Sequence, residues 1–257
     1  MISDNERNWQ KVWSDDEGYG DCFYMRAKGE YPEMESSKAL AKLVDGYMKN
    51  GDKVLDVGCG AGHYYTSIRK RIDKTFTYKG IDATPYYIEK GKEVFAKDKN
   101  VSLQVGDIFN LSLTNQSSDL TICCNVLLHL PSIKKPIEEL WRVTDRCLII
   151  RALVGDVSFR IKQINSPEEY DEAGDPVNYH YFNIYSRAYV EQLASQLAGV
   201  KKVQIIRDVD YNPSQLGEAV QANYQNPRAM DLTKVLNGLQ VNNYIILPWS
   251  FVIIEKS

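Results

Sequence analysis

Three glycines stand at alternate positions directly after a short apolar run, at Gly58, Gly60 and Gly62. The run, residues 54–57, is typical of a buried strand, and a helical pattern follows the last glycine. A tight strand-to-helix turn favours glycine, because the missing Cβ permits unusual backbone angles and lets a ligand approach the main chain closely. A dinucleotide fingerprint would need its third glycine one position later, where the chain has His63. The spacing predicts a ligand-binding turn and argues against a nicotinamide cofactor.

Polar residues follow three further apolar runs, at the points where strands are expected to end. Asp82 lies 24 residues beyond Gly58, and Asp107 and Asn125 follow the third and fourth runs. The carboxyl ends of parallel strands share one edge of a sheet, which is where α/β proteins bind ligands. A carboxylate at Asp82 can accept hydrogen bonds from both hydroxyls of a ribose, although it could instead cap the helix that begins near Pro85.

Residues 56–62 resemble the first motif of class I S-adenosylmethionine-dependent methyltransferases, an acidic and an apolar residue followed by G-x-G-x-G. The resemblance extends over residues 34–151 and implies S-adenosylmethionine as the cofactor. It implies that the glycine turn lies under the methionine moiety and that the next two strand ends contact the ribose and the adenine. The fourth strand end then lies nearest the methyl group. The cofactor-binding residues implied in this way are Asp56, Gly58, Gly60, Gly62, Asp82, Ala83, Asp107, Ile108 and Asn125.

The first 33 residues are rich in aromatic and charged side chains with little periodicity, which is typical of a lid or arm. We expect this arm to fold over the cofactor. Arg26 could then pair with the methionine carboxylate, and Tyr24 could form a hydrogen bond nearby. The alternative is a solvated tail.

From Lys53 onward, short apolar runs alternate with helical patterns, the signature of βαβ units. We expect strands at 53–57, 76–81, 101–105, 118–124 and 146–151, with the last two strands at 203–206 and 244–254. Helices are expected near 34–48, 62–71, 85–97, 133–144 and 186–198. The predicted fold class is α/β, a doubly wound, mostly parallel seven-stranded sheet with helices on both faces and an antiparallel last strand.

The length of 257 residues fits a single domain, residues 1–257. Within it we expect an amino-terminal arm or lid, a cofactor-binding core, an insertion over the acceptor site, and a terminal helix with strands. Their respective ranges are 1–33, 34–151, 152–185 and 186–257.

Methyl transfer from a sulfonium depends mainly on alignment, and a base is needed only where the acceptor must lose a proton. His129, which follows the fourth strand, is the candidate base because a neutral imidazole can take a hydroxyl proton at neutral pH. A histidine before Leu130 could equally pack at the turn. The predicted acceptor contacts, whose alternative is an exposed loop, are Arg151, Tyr179, His180 and Arg187.

The formal charge is −3, from 31 basic and 34 acidic residues without a polybasic run, which disfavours a nucleic-acid polymer as partner. The polar amino terminus predicts neither a signal peptide nor a membrane partner, and therefore a cytoplasmic location. Five cysteines without a C-x-x-C pair are expected to be reduced, mostly buried thiols, and no metal site is expected. None of these sequence features indicates an oligomeric state.

These features predict an enzyme that methylates an oxygen of a small polar metabolite. The D/N-P-P-Y/F tetrad of amino methyltransferases acting on nucleobases or glutamine is absent, since Val126 follows Asn125. Residues 24–38 are loosely similar to methyltransferases of bacterial surface-polysaccharide (capsule) clusters, including those that form O-methyl phosphoramidates. That similarity implies a nucleotide- or sugar-linked acceptor. The alternatives are a catalytically idle cofactor-binding regulator or scaffold, an N-methyltransferase of a small molecule, and a nicotinamide oxidoreductase, which His63 disfavours.

Overall fold

The computed structural model describes residues 17–208, 233–236, 239–242 and 245–257. The first sixteen residues of the predicted arm and part of the predicted terminal segment lie outside these ranges. The described helices are α1 (Glu17–Lys28), α2 (Glu35–Asp45), α3 (His63–Arg69), α4 (Pro85–Val94), α5 (Lys134–Val143) and α6 (Arg187–Ser195), with a 3₁₀ turn at Leu127–His129. The described strands are β1 (Asp52–Val57), β2 (Phe76–Asp82), β3 (Val101–Val105), β4 (Ser118–Cys124), β5 (Thr144–Gly155), β6 (Lys162–Ile164), β7 (Tyr179–Tyr181), β8 (Tyr185–Ser186), β9 (Val200–Arg207), β10 (Thr233–Leu236), β11 (Leu239–Asn242), β12 (Ile245–Ile246) and β13 (Trp249–Lys256).

Seven strands form the central sheet in the order β3-β2-β1-β4-β5-β13-β9, and β8 pairs with β5 off this path. Strands β1 to β5 pair in parallel, whereas β13 runs antiparallel to both of its neighbours. The chain order reverses between β1 and β4, so the loops after these strands diverge and form a crevice at the carboxyl edge. The predicted fold class is confirmed.

Three predicted strands differ from the structure by more than one residue. The strand expected at 203–206 is β9, which extends from Val200 to Arg207. Strand β5 continues to Gly155, beyond the expected end at 151. The expected last strand, 244–254, is divided: Ile245–Ile246 pairs with β11 in a separate three-stranded sheet, and β13 begins at Trp249. Pro248 lies between the two pieces. Because proline lacks the N–H that a strand ladder uses, the run does not continue as one strand.

The inner strands of the central sheet are buried on both faces. Leu55 of β1 belongs to one core cluster, which includes Trp141 of α5 and Val190 of α6. Val54, whose side chain points to the opposite face, packs in a second cluster with Ile68 of α3 and with α2. Burial on both faces explains why the central strands have nearly continuous apolar sequences.

The described part of the arm is a helix that lies on the domain. The hydroxyl of Thr66 on α3 donates to the carbonyl of Ala27 over 2.8 Å, and the hydroxyl of Tyr86 on α4 donates to Asp21 over 2.8 Å. Ala27 is buried. Helix α1 therefore covers α3 and α4 instead of forming a solvated tail.

The insertion is an antiparallel hairpin of β6 and β7, tied to the loop after β4 through Asn183. The Asn183 side chain is fully buried, donates to the carbonyl of Leu130 over 2.9 Å and accepts from the N–H of Ile161 over 3.1 Å. These bonds bring the insertion over the carboxyl edge of β4.

The cysteines are free thiols, and four of the five are buried: Cys59, Cys123, Cys124 and Cys147. Burial raises the pKa of the Cys123 and Cys124 thiols, which is consistent with strand core. In the described ranges, none of the helices has both the length and the apolar character needed to cross a membrane.

Candidate active site

The turn between β1 and α3 lies at the crevice of the carboxyl edge. Gly58, Gly60 and Gly62 have φ angles of +82°, +54° and +84°, which L side chains rarely adopt. A Cβ on Gly58 would lie 2.1 Å from Cγ2 of Val126, which follows β4. The two loops on either side of the crevice are therefore in direct contact, and only glycine permits that approach.

Asp82 ends β2 and holds the glycine turn. Its Oδ2 accepts a hydrogen bond from the N–H of Gly60 over 2.8 Å, and its Oδ1 accepts one from the N–H of Thr84 over 2.9 Å. Burial raises the pKa of this carboxyl, while the amides act in the opposite direction. A carboxylate oxygen can accept more than one hydrogen bond, which is what two ribose hydroxyls would require of Asp82. Ala83 is exposed beside it, and Thr84, rather than Asp82, occupies the N-cap of α4.

Asp56 is fully buried on β1, two residues before the first glycine. The hydroxyl of Tyr78 donates to its Oδ2 over 2.5 Å, whereas its Oδ1 has no hydrogen-bond partner within the described residues. Burial raises the pKa of Asp56 to about 7, and the charge of Asp82 acts in the same direction. A buried acceptor beside the glycine turn fits the α-amino group of a methionine moiety, because such a donor would satisfy it.

Asp107 and Ile108 follow β3 at the same edge, where the resemblance implies adenine recognition. Oδ1 of Asp107 accepts from the N–H of Phe109 over 2.9 Å, so this carboxylate shapes its own loop. The Ile108 side chain is buried in the cluster that contains Ile81 of β2. Core packing thus fixes the loop that the resemblance places against the adenine.

Asn125 follows β4 with a φ of +61°, a left-handed conformation uncommon outside glycine. Its Oδ1 accepts from Nη1 of Arg151 over 2.5 Å, and its Nδ2 donates to the hydroxyl of Tyr64 over 3.1 Å. Because arginine only donates, the orientation of the Asn125 amide is determined. Such contacts at both ends of the side chain account for a backbone conformation that is otherwise unfavourable.

Phe23 of α1 lies against the glycine turn, a contact that the sequence did not predict. A Cβ on Gly60 would lie 3.2 Å from Cδ2 of Phe23, and the Phe23 ring stacks on His63 with the ring centroids 4.9 Å apart. His63 is buried, and neither of its ring nitrogens has a hydrogen-bond partner in the described part of the chain. Burial, reinforced by the charge of Arg26, lowers the pKa of His63 to about 3. This imidazole is therefore neutral at pH 7.

Helix α1 separates the two arm residues that were predicted to contact the cofactor. Arg26 donates from Nε to the carbonyl of Pro32 over 3.3 Å, and its charge acts on His63 beside the glycine turn. The ring of Tyr24 lies 5.2 Å from Nζ of Lys90 on α4. The ring of Tyr24 thus faces α4, whereas Arg26 bonds to the loop that follows α1.

His129 ends the 3₁₀ turn after β4 and is held by the insertion. Its Nδ1 lies 2.9 Å from the carbonyl oxygen of Tyr181, which can only accept, so Nδ1 carries the proton of the neutral ring. Burial lowers the pKa of His129 to about 4. The imidazole is therefore in the form that accepts a proton at pH 7, but its basicity is reduced.

One of the predicted acceptor contacts, His180, lies beside His129. His180 and Tyr179 are on β7, and the ring of His180 lies 6.2 Å from that of His129. Nδ1 of His180 is 2.7 Å from Oδ1 of Asn165 on the facing part of the insertion. The ring of Tyr179 lies 4.4 Å from Nζ of Lys162.

The two predicted arginine contacts are engaged elsewhere. Arg151 is 3% exposed and binds Asp208 and Asn125, so it belongs to a buried network. Arg187 is about half-exposed at the start of α6, where it pairs with Glu191 over 3.4 Å and donates to the carbonyl of Ile205 over 3.1 Å. Its bonds run along α6 and to β9. Sequence reasoning missed Asp208, although an acid two residues after the predicted strand 203–206 was the available signal.

Residues 48–173 match the family model of a methyltransferase domain. Demethylmenaquinone methyltransferase of Staphylococcus aureus is 32% identical over 111 residues, which cover 42% of this chain and 46% of that protein. The chain thus matches less than half the length of this curated relative.

Solved S-adenosylmethionine-dependent methyltransferases share the fold. One from Thermotoga maritima has a TM-score of 0.55 at 14% identity and covers 96% of this chain and 100% of its own. Another from Methanosarcina mazei has a TM-score of 0.52 at 13% identity and covers 83% of this chain and 96% of its own. The fold is therefore the Rossmann-like methyltransferase fold. With the domain match, it supports the predicted S-adenosylmethionine-dependent methyltransferase and its cofactor.

Proposed function

We propose that the chain transfers a methyl group from S-adenosylmethionine to an oxygen of a small polar metabolite. The observation that carries the proposal is the glycine turn at the crevice, whose Gly60 amide is held by Asp82, within a segment that matches a methyltransferase domain. When bound, S-adenosylmethionine supplies an electrophilic methyl group on a sulfonium. Asp82 would hold the ribose, Asp56 the amino group and the loop of Asp107 the adenine.

Methylation of a hydroxyl is supported by the neutral state of His129. The acceptor oxygen must lose its proton as the new oxygen–carbon bond forms and the sulfur–carbon bond breaks. With Nδ1 donating to Tyr181, the remaining lone pair of the neutral His129 ring is on Nε2, which is the atom that would take this proton. His180 and Phe182, whose rings lie 6.2 Å from that of His129, would line the acceptor region.

Three arginines near the insertion and the sheet edge differ in how fully they are paired. Arg151 pairs with Asp208, Arg187 pairs with Glu191, and Arg160 donates to the carbonyl of Pro131. Of these three, Arg151 is buried and paired with a carboxylate, whereas Arg187 is about half-exposed and the partner of Arg160 is a neutral carbonyl. Of the expected acceptors, we favour a sugar hydroxyl of a surface-polysaccharide precursor, and this assignment rests on the similarity of residues 24–38.

Calorimetry with S-adenosylmethionine, S-adenosylhomocysteine and NAD tests the cofactor. We expect binding of the first two and not of NAD, and binding of NAD alone would overturn the proposal.

A second experiment tests the acceptor. The protein is incubated with fractionated small metabolites and with S-adenosylmethionine that carries ¹³C in its methyl group. A carbon shift typical of a methoxy group is the expected result. An N-methyl shift would support the alternative of an N-methyltransferase, and cofactor binding without any transfer would support an idle regulator.

A further inference from the structure

Arg151 and Asp208 form a buried ion pair at the carboxyl edge of the sheet. Their side chains are 3% and 2% exposed, and Nε and Nη2 of Arg151 both lie 2.7 Å from Oδ2 of Asp208. Trp249 of β13 covers the guanidinium, whose central carbon lies 4.1 Å from the centroid of the indole ring. Oδ1 of Asp208 has no hydrogen-bond partner among the described residues. Burying two charges costs solvation free energy, so the presence of an ion pair at this buried position needs an explanation.

The pair is directly coupled to the reaction site. Nη1 of Arg151 donates to Oδ1 of Asn125 over 2.5 Å, and Arg151 pairs in register with Cys124, the last residue of β4. The Asn125 amide thus takes its orientation from Arg151. A guanidinium at this place also brings a full positive charge to the edge where a cationic sulfonium would bind. At an effective dielectric constant near 20, the interaction of two unit charges about 10 Å apart is large enough to change a binding constant by about tenfold.

We propose that Arg151 is a positioning residue for Asn125 and that Asp208 is its counter-ion, which keeps this edge of the site neutral so that a cationic cofactor can bind. The inference rests on the proposed function. It makes Asp208 a determinant of the preference for S-adenosylmethionine, which carries the sulfonium charge, over S-adenosylhomocysteine, which does not. The two ligands otherwise share the groups that the site would hold.

The test is the ratio of the dissociation constants of S-adenosylmethionine and S-adenosylhomocysteine, measured by calorimetry at pH 8. Asp208→Asn leaves Arg151 without a counter-ion, and we expect the ratio to rise about tenfold through weaker binding of S-adenosylmethionine. Arg151→Gln leaves the negative charge of Asp208, and we expect the ratio to fall. A merely structural role would weaken both ligands together and leave the ratio unchanged in both variants, which would overturn the inference.

Asp52→Asn provides a matched control. Asp52 pairs with Arg146 over 2.5 Å at the opposite edge of the same sheet, and its side chain is 6% exposed. We expect its loss to affect the melting temperature without altering the ratio. If Asp208→Asn does not fold, the direction of the change in Arg151→Gln alone decides. Failure of the unaltered protein to bind either ligand would refute the proposed function, whereas an unaltered ratio in proteins that bind both refutes only the role of this ion pair.

Discussion

Alanine at Gly58 should destabilise the protein by about 2–5 kcal/mol. The residue has a φ of +82°, and a left-handed conformation costs a residue with a Cβ about 1–2 kcal/mol. The new Cβ would also lie 2.1 Å from Cγ2 of Val126, and relief of such an overlap by shifts of the loops costs a further 1–3 kcal/mol, roughly. Because the same shifts separate the loops at the crevice, affinity for S-adenosylmethionine should also fall, by about tenfold or more.

Gly51→Ala separates the two contributions. Gly51 has a φ of +84°, but a Cβ there would have no atom within 4 Å, so this variant carries the backbone cost alone. Urea denaturation of both variants at 25 °C gives the difference, which we expect to be about 1–3 kcal/mol. Replacing Val126 with Ala in the Gly58→Ala protein should recover part of it. Equal stabilities of the Gly51 and Gly58 variants would refute the argument that the two loops must touch.

Alanine at Asp82 removes the acceptor of the Gly60 and Thr84 amides, so calorimetry should give an affinity for S-adenosylmethionine that is lower by about 1.5–3 kcal/mol. An unchanged affinity would remove Asp82 from the site. The pKa of Asp56 is raised to about 7 in the folded state, so this group stabilises the fold at low pH and the contribution is lost as pH rises from about 4 to about 7. Urea titrations should show this decline in the unaltered protein and a smaller one in Asp56→Asn. Glutamine at His129 should lower turnover by roughly 100-fold with an unchanged melting temperature, whereas a full rate with a lower melting temperature would identify a packing role.

The glycine turn and the parallel sheet were predictable because their signals are local. β1 and β4 are buried on both faces, so their sequences show as continuous apolar runs without any knowledge of their neighbours. The φ angles of Gly58, Gly60 and Gly62 are all positive, which is the backbone reason for three glycines at this spacing.

Helix α1 was not predictable from its own sequence. The segment EGYGDCFYMRAK contains two glycines, each of which costs a helix about 1 kcal/mol relative to alanine, and has no regular apolar stripe. Its stability depends on packing against α3 and α4, as is common for short helices. The contact of Phe23 with the glycine turn depends on the same packing and has no local signal.

The arginine assignments show a related limit. Arg151 and Asp208 are 57 residues apart, and they meet because β5 and β9 pair with the two sides of the same strand, β13, an order that hydrophobic patterns do not specify. Arg187 was grouped with Tyr179 and His180 because they are close in sequence. Strand β8 lies between those two residues and Arg187, which begins α6. The guanidinium of Arg187 therefore bonds to Ile205 of β9.

The buried polar groups of the carboxyl edge have one electrostatic property in common, which is that their charges are suppressed or paired. Burial lowers the pKa of His63 to about 3 and that of His129 to about 4, so both imidazoles are neutral at pH 7. The charge of Arg151 is balanced by Asp208. Asp82, whose carboxylate is stabilised by two amides, then supplies the negative character of the site. A cofactor with a positive sulfonium and ribose hydroxyls as donors is complementary to this edge.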